Sequence, residues 1–381
     1  MRLILPVFIF LLVACKADQS KQKWTLNDGP EIEIKYAKGF ALERYDNGVQ
    51  LLHVSSPWPG AEETLTYALV NRNKMELATN LPEKVQAVIP VPVNRLIATS
   101  TTHIPALEAL GVADRLVGFP ETKYISSPQT RQRIEKGQIA ELGSNESINT
   151  EITLALEPEL IIGFGIKNLN KAYHAFESAG VPVVYNGDWT EESPLGKSEW
   201  IKFFAPFFNM EENADSIFRS IEESYLASKR LAQTVNTKPM VLGGALYKDV
   251  WYMPGGKSWA ANFIADANAD YIYADNTDVG SLKLSLESVL AKSDEADYWI
   301  GPAQFSSYTE MESANPHYLR FKPFREQKVY TFARTRGATG GLLYYELAPA
   351  RPDIVLKDLI HIFHPEILPD YEPYFFKPLE N

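Results

Sequence analysis

Residues 198 to 235 read SEWIKFFAPFFNMEENADSIFRSIEESYLASKRLAQTV, and they break a chain that otherwise alternates short strands with helices. From Glu211 to about Val235 there is no Gly or Pro, and Ile217, Phe218, Ile221, Tyr225 and Leu226 fall on one stripe at helical spacing. One helix of that length spans roughly 37 Å at about 1.5 Å per residue. Before it come VQAVIPVPV and RLIATS, a helix through IPALEALG, the strand DRLVGF, and a helix through SPQTRQRIEKG. TEITLALEPELIIG and NKAYHAFESAGVPVVYN follow, each a helix that stops at Pro158 or Gly180 and feeds a short apolar strand. After it the alternation restarts at KPMVLGGALY, continues through WYMPGGKSWAANFIADANADYIY, and closes with VYTFA and a helix through RPDIVLKDLIHIF. Strands alternating with helices specify parallel sheets, so the long helix separates two α/β halves.

The halves share a signature. Glu151-Ile-Thr-Leu-Ala runs on to Ile162-Gly163, and Glu287-Ser-Val-Leu-Ala runs on to Ile300-Gly301, with two residues inserted in the second copy. They read as equivalent elements of two similar lobes. Ahead of both lies a β-rich stretch in which EIEIKY alternates from Glu31, Asp46-Asn47-Gly48 signals a hairpin, and HV and TLTYALV supply further strands. The expected fold class is therefore α/β: two similar lobes joined by one long rigid helix, with a small β-rich N-terminal section. The expected divisions are 1–14 leader, 15–29 spacer, 30–83 β-rich section, 84–197 N-terminal lobe, 198–237 interlobe helices and 238–381 C-terminal lobe.

The chain of 381 residues has one cysteine, Cys15, within LLVACKAD. Arg2 gives a positive start, and Leu3 to Val13 are wholly apolar but too few to span a bilayer. Leu12-Val13-Ala14-Cys15 resembles the bacterial lipobox. That resemblance implies that Cys15 becomes the first residue of the mature protein, carries acyl chains and tethers a soluble domain outside the cytoplasm. Lys16 beside it resembles a signal for sorting away from the inner membrane in a cell with two membranes. No thiol is then left for a disulfide, a metal site or catalysis, so stability rests on burial, to which a 45% hydrophobic content is adequate. The formal charge is −11, one unit more negative once Arg2 leaves with the leader, and no basic cluster occurs. Nucleic acid is disfavoured as a partner, and the only membrane contact expected is through the lipid.

Lobe, helix and lobe on a lipidated exported chain resemble the helical-backbone class of ABC-importer substrate-binding proteins, which carry ferric siderophores, cobalamin or haem. The resemblance rests on Ile97-Ala98, on LEALGVADRLVG (Leu107 to Gly118), on Asn149-Thr150-Glu151 with Leu156-Glu157-Pro158-Glu159-Leu160, on WYMPGGKS (Trp251 to Ser258) and on Arg351-Pro352-Asp353-Ile354. It covers about residues 88 to 366; the β-rich section lies outside it, with its role open. The resemblance implies a monomer that holds a small-molecule metal chelate between its lobes and delivers it to an ABC permease and ATPase complex. It also implies that Glu151 and Glu287 are the lobe-surface acids that meet permease arginines, although an acid in a first helical turn is equally favoured by the macrodipole. No resident cofactor is expected; the bound ligand would be a ferric chelate or a corrinoid.

Ligand candidates come from loops at the carboxyl ends of strands. Ser100, Thr101 and His103 open a helix after a strand, where free N–H groups and hydroxyls suit an anionic or oxygen-rich ligand, or simply cap the helix. Tyr124 and Phe164 also follow strands and offer stacking surfaces. Trp251 and Tyr252 precede Pro254-Gly255-Gly256, as cleft walls or as core. Arg334 and Arg336 in ARTRGATGG provide fork-shaped donors for carboxylate, hydroxamate or catecholate oxygens, or solvate a loop.

Other chemistries fit less well. Gly256-Lys257-Ser258 and Gly196-Lys197-Ser198 lack the glycine five places earlier that a phosphate loop needs, having Trp251 and Glu191 there. His361 and His364 sit three apart at a helix end without an acidic or cysteine partner, so no metal site is expected. No Gly-x-Ser-x-Gly elbow appears. The leading expectation is a binding protein for a ferric siderophore or similar chelate. The alternatives are cobalamin or haem as cargo, a surface lipoprotein passing ligand to an outer-membrane receptor through the β-rich section, and an exported hydrolase acting on the chelate.

Overall fold

The backbone helix runs from Glu211 to Ala232 in a computed structural model that describes residues 24–27, 33–165 and 171–381. Cys15, the leader and the first two residues of EIEIKY lie outside the described residues. The helix has Glu211 and Glu212 in its first turn and Lys229 and Arg230 in its last, so the charges at both ends complement the macrodipole. Phe218 packs into the core of the N-terminal lobe and Tyr225 into that of the C-terminal lobe. One helix is thus anchored in both cores, and Asp266 of the second lobe holds it further, accepting from Tyr225 Oη and Lys229 Nζ at 2.6 Å each.

The lobes repeat one topology. In the first, the parallel strands Leu96–Ala98, Leu116–Phe119, Leu160–Gly163 and Val183–Tyr185 lie in the spatial order fourth, third, first, second. In the second, Met240–Gly243, Asp270–Tyr271, Tyr298–Ile300 and Val329–Thr331 take the same order, and Lys377–Pro378 adds an antiparallel edge. The two Ile-Gly signatures end the third strand of each lobe. The helices before them, Thr150–Ala155 and Leu286–Leu290, begin alike: Asn149 accepts from Ile152 N–H and Ser285 from Ser288 N–H, with Glu151 and Glu287 in the first turns.

The N-terminal section forms a four-stranded sheet of β1 (Phe40–Arg44), β2 (Gln50–Val54), β3 (Leu65–Asn71) and β4 (Ala87–Val91). Asp46-Asn47-Gly48 turns the first hairpin, with Gly48 at φ +88° and Asn47 Oδ1 accepting from Val49 N–H. Two expectations are corrected. Strand β4, placed by its sequence with the lobe from residue 84, instead pairs in parallel with β3 and completes the small sheet. EIEIKY, expected as a strand, makes no sheet ladder over its described residues. Its amides go to side chains: Lys35, Tyr36 and Ala37 donate to the fully buried Glu199 at 2.6–3.1 Å, while Lys38 and Gly39 donate to Glu191 at 2.8 Å. Period-2 alternation cannot distinguish a paired strand from a segment strapped across a helix.

The small sheet is fused to the first lobe. Phe40, Leu52, Tyr67 and Ile89 share the lobe's core, and Trp58 meets Tyr185 edge-on at 5.4 Å. Gly187 permits the close approach, since a Cβ there would come within 2.1 Å of Ser56 O.

Candidate functional site

Two adjoining cavities, of about 280 and 500 Å³, lie between the lobes, and Tyr345 lines both. The smaller is walled by Ser100 and Thr101 after the first strand of the N-terminal lobe, by Phe119 to Glu121 and Tyr124 after the second, and by Phe164 after the third; Gly341 and Leu342 face them from the C-terminal lobe. The larger is walled by Trp189 after the fourth strand and, across the gap, by Gly243-Gly244, Ile300-Gly301 and Phe332 at the strand ends of the second lobe. Loops at the carboxyl ends of both sheets therefore converge on one cleft, the geometry in which α/β folds hold ligands. A third cavity of about 790 Å³ opens behind, between α1 (His103–Ala109), the backbone helix and the final helix Pro352–Phe363. Larger though it is, its walls are mostly helix flanks, so it lacks the converging strand ends that mark the cleft.

The cleft is aromatic. Tyr124 and Tyr345 are each 51% exposed, Trp189 40% and Tyr252 37%, so four of the lining rings are left partly uncovered. Trp259, Phe332 and Tyr344 form the floor of the larger cavity. Among the described residues the one cation lining either cavity is Lys197. Its Nζ donates to the carbonyls of Asp188 and Trp189 at 3.1 and 3.0 Å and lies 5.3 Å from the Trp259 ring centroid, so it orients an aromatic from each side of the gap. Burial lowers its pKa. Glu191, on the same wall, is committed to the N-terminal strap and to Trp200 Nε1 at 3.1 Å.

The residues singled out from sequence divide accordingly. Ser100, Thr101, Tyr124, Phe164 and Tyr252 line the cleft. His103 does not: its ring is fully buried against Phe204 at 5.4 Å. Asn186 and Asp188 are its polar neighbours, yet neither ring nitrogen makes a hydrogen bond of ordinary geometry, and burial pushes its pKa down to about 4. Trp251 is core as well, because alternation along its strand turns Trp251 inward and Tyr252 outward. Arg334 pairs with Glu380 at 2.6 Å and donates to Pro378 O, while Arg336 folds onto its own loop through Gly340 O at 3.1 Å. Neither lines the cleft. Glu151 and Glu287 are exposed and make no ion pair among the described residues. His361 and His364 bond to the carbonyls of Leu368 and Asn268, and no group able to hold a metal ion occurs among the described residues.

Trp189, Lys197, Trp259 and Tyr345 escaped the sequence reading. Trp189 obeys the strand-end rule, coming four residues after Val183–Tyr185. Lys197 and Tyr345 sit inside short helices, where no local signal marks a cleft residue.

Residues 96–332 match the family described as periplasmic binding protein. An uncharacterized lipoprotein of Methanocaldococcus jannaschii is 26% identical over 364 residues, covering 90% of this chain and 84% of the relative. A vitamin B12-binding protein of Vibrio parahaemolyticus is 21% identical over 210 residues, 54% of this chain and 70% of that protein. Among solved structures, a possible iron-binding (periplasmic solute-binding) protein of Staphylococcus epidermidis is similar with a TM-score of 0.56 at 19% identity, covering 72% of this chain and 99% of that one.

Proposed function

Since the chain belongs to the periplasmic binding protein family, we propose that it captures a bulky metal chelate in the interlobe cleft and delivers it to an ABC permease and its ATPase. The family consists of transporter substrate-binding proteins rather than enzymes, which sets the hydrolase reading aside. The chain acts as a monomer held to a membrane through acylated Cys15, on the periplasmic side in a two-membrane cell or the outer face in a one-membrane cell. Similarity to a lipoprotein supports the anchor, and no described helix is long and apolar enough to cross a membrane.

The observation that carries the reading is the cleft itself: strand ends of both lobes converging on Tyr345, walled by aromatics, with one buried lysine. Such walls suit a ligand with a broad apolar or π-rich face. A polyanionic ferric catecholate would need arginine forks, and Arg334 and Arg336 are engaged outside the cavities. Corrinoid and porphyrin chelates therefore rank ahead of anionic siderophores, and similarity to a vitamin B12-binding protein supports that order. The test is a tryptophan-fluorescence titration with cyanocobalamin, haemin, a ferric hydroxamate and a ferric catecholate, because Trp189 and Trp259 line the cleft. Saturable quenching at micromolar concentration or below by a macrocycle is expected. A folded protein that responds to none of the four overturns the metal-chelate reading.

A further inference from the structure

Glu346 belongs to the short helix Leu343–Leu347 of the C-terminal lobe, yet both of its carboxylate oxygens serve the other lobe. Ser126 N–H donates to Oε2 at 2.6 Å and Ser127 N–H to Oε1 at 2.8 Å. These amides lie just ahead of α2 (Pro128–Glu135), which Ser127 itself caps through Thr130 N–H, so an acid of one lobe fixes the segment that opens a helix of its neighbour. The surrounding contact is close. A Cβ on Gly337 would come within 2.7 Å of Ser126 Cα, one on Gly341 within 2.6 Å of Tyr124 O, and Thr339 Oγ1 donates to Lys123 O at 2.7 Å. Tyr345, which lines both halves of the cleft, is the residue immediately before it, so this interlobe contact adjoins the cleft wall.

The charges around Glu346 do not favour it. Glu108 on α1 faces it, accepting from Ser127 Oγ and Thr130 Oγ1. Arg131 on α2 donates to Thr122 O, Lys123 lies over the Tyr124 ring, and Arg351 is bound to Asp353. Among the described residues no cation pairs with Glu346, which is 4% exposed. Closure therefore removes a carboxylate from water beside a second carboxylate, with two amides in return. Burial first, and the charge of Glu108 after it, raise its pKa from the ordinary 4.5 to about 7 despite those amides.

We propose that Glu346 is a positioning residue that latches the lobes over the ligand, and that it makes closure stronger in acid than in alkali. The inference rests on the interlobe cleft being the binding site. Once the lobes part, Glu346 meets water and returns toward 4.5, so the closed state binds more protons than the open one. Closure is favoured as pH falls through 7 toward 4.5 and weakened above it.

Distance measurement between nitroxide labels on the full chain tests this without any cargo, so its failure is distinguishable from a wrong ligand. Labels go on Q132C in one lobe and E312C in the other, both exposed, with C15S to leave no other thiol. The closed-to-open ratio should rise roughly tenfold or more between pH 8.5 and 5.5. Glu346→Gln should remove the response. Glu108→Gln, which keeps an acceptor for Ser127 and Thr130, should move the midpoint to lower pH. Distances that do not change with pH in the unmodified latch, or an E346Q chain that titrates like it, overturn the proposal.

Discussion

The indole of Trp251 stacks on that of Trp299, ring centroids 5.3 Å apart and planes 29° from parallel. Each ring N–H is satisfied from the neighbouring turn, Trp251 by Gly243 O at 3.1 Å and Trp299 by Gly244 O at 2.8 Å. Phe321 completes a triangle with the pair, 5.2 Å from Trp251 and 5.1 Å from Trp299. This pair supports the turn that carries the second lobe's strand ends into the cleft. Trp251→Ala should destabilise the chain by about 3–5 kcal/mol in a urea melt, while any chelate that still binds at low denaturant does so in the same order of preference.

Glu199 accepts the amides of Lys35, Tyr36 and Ala37 and pairs with the buried Lys202 at 3.0 Å. Removing the acid leaves a buried cation and amides without an acceptor. Glu199→Ala should lose about 3–5 kcal/mol, and hydrogen exchange should show protection lost first at residues 35–37. The same fusion bears on the β-rich section. Deleting residues 31–80 would strip Phe40, Leu52 and Tyr67 from the lobe core, so that deletion should unfold the lobe rather than report on a surface partner.

His103 gives stability a defined pH dependence. The unfolded chain protonates it near 6.5, whereas in the fold burial delays protonation to about 4. The contribution is complete above 6.5 and is lost as pH falls through that interval, on the order of 3 kcal/mol in all. Denaturation of the wild type and His103→Leu across pH 4 to 7 should show a difference that grows with pH, reaching its full size above 6.5.

The cleft and the arginine loop should separate in a binding assay. Tyr345→Ala and Trp189→Ala remove exposed rings from opposite walls and should each weaken chelate binding by about tenfold, near the 1.4 kcal/mol typical of one aromatic contact. Arg334→Ala should leave affinity unchanged and loosen the C-terminal strand, since its partners are Glu380 and Pro378.

The bilobal architecture was legible because it depends on patterns many residues long: a stripe of five apolar side chains on one helix, and a Glu to Ile-Gly signature repeated in both halves. The strand-end rule also located Ser100, Thr101, Tyr124 and Phe164 in the cleft. It misread His103 because position after a strand does not determine which way a side chain points, and Trp251 because that residue lies within a strand, Val250–Pro254, rather than after one. His103 turns into the core beside Phe204, and strand alternation sends Trp251 inward. The strap at 33–39 was hidden for a related reason. Its amides are satisfied by Glu199 and Glu191, more than 150 residues away in sequence, and no local pattern records such a partner.

The most direct test of the central claim is an anomalous difference map, at the cobalt or iron edge, from crystals grown with the chelate selected by titration. One peak between the lobes, beside Tyr345 and the strand ends that carry Ser100 and Gly301, is the expected result. A peak in the cavity behind the backbone helix, or on an outer surface of either lobe, would contradict capture in the cleft.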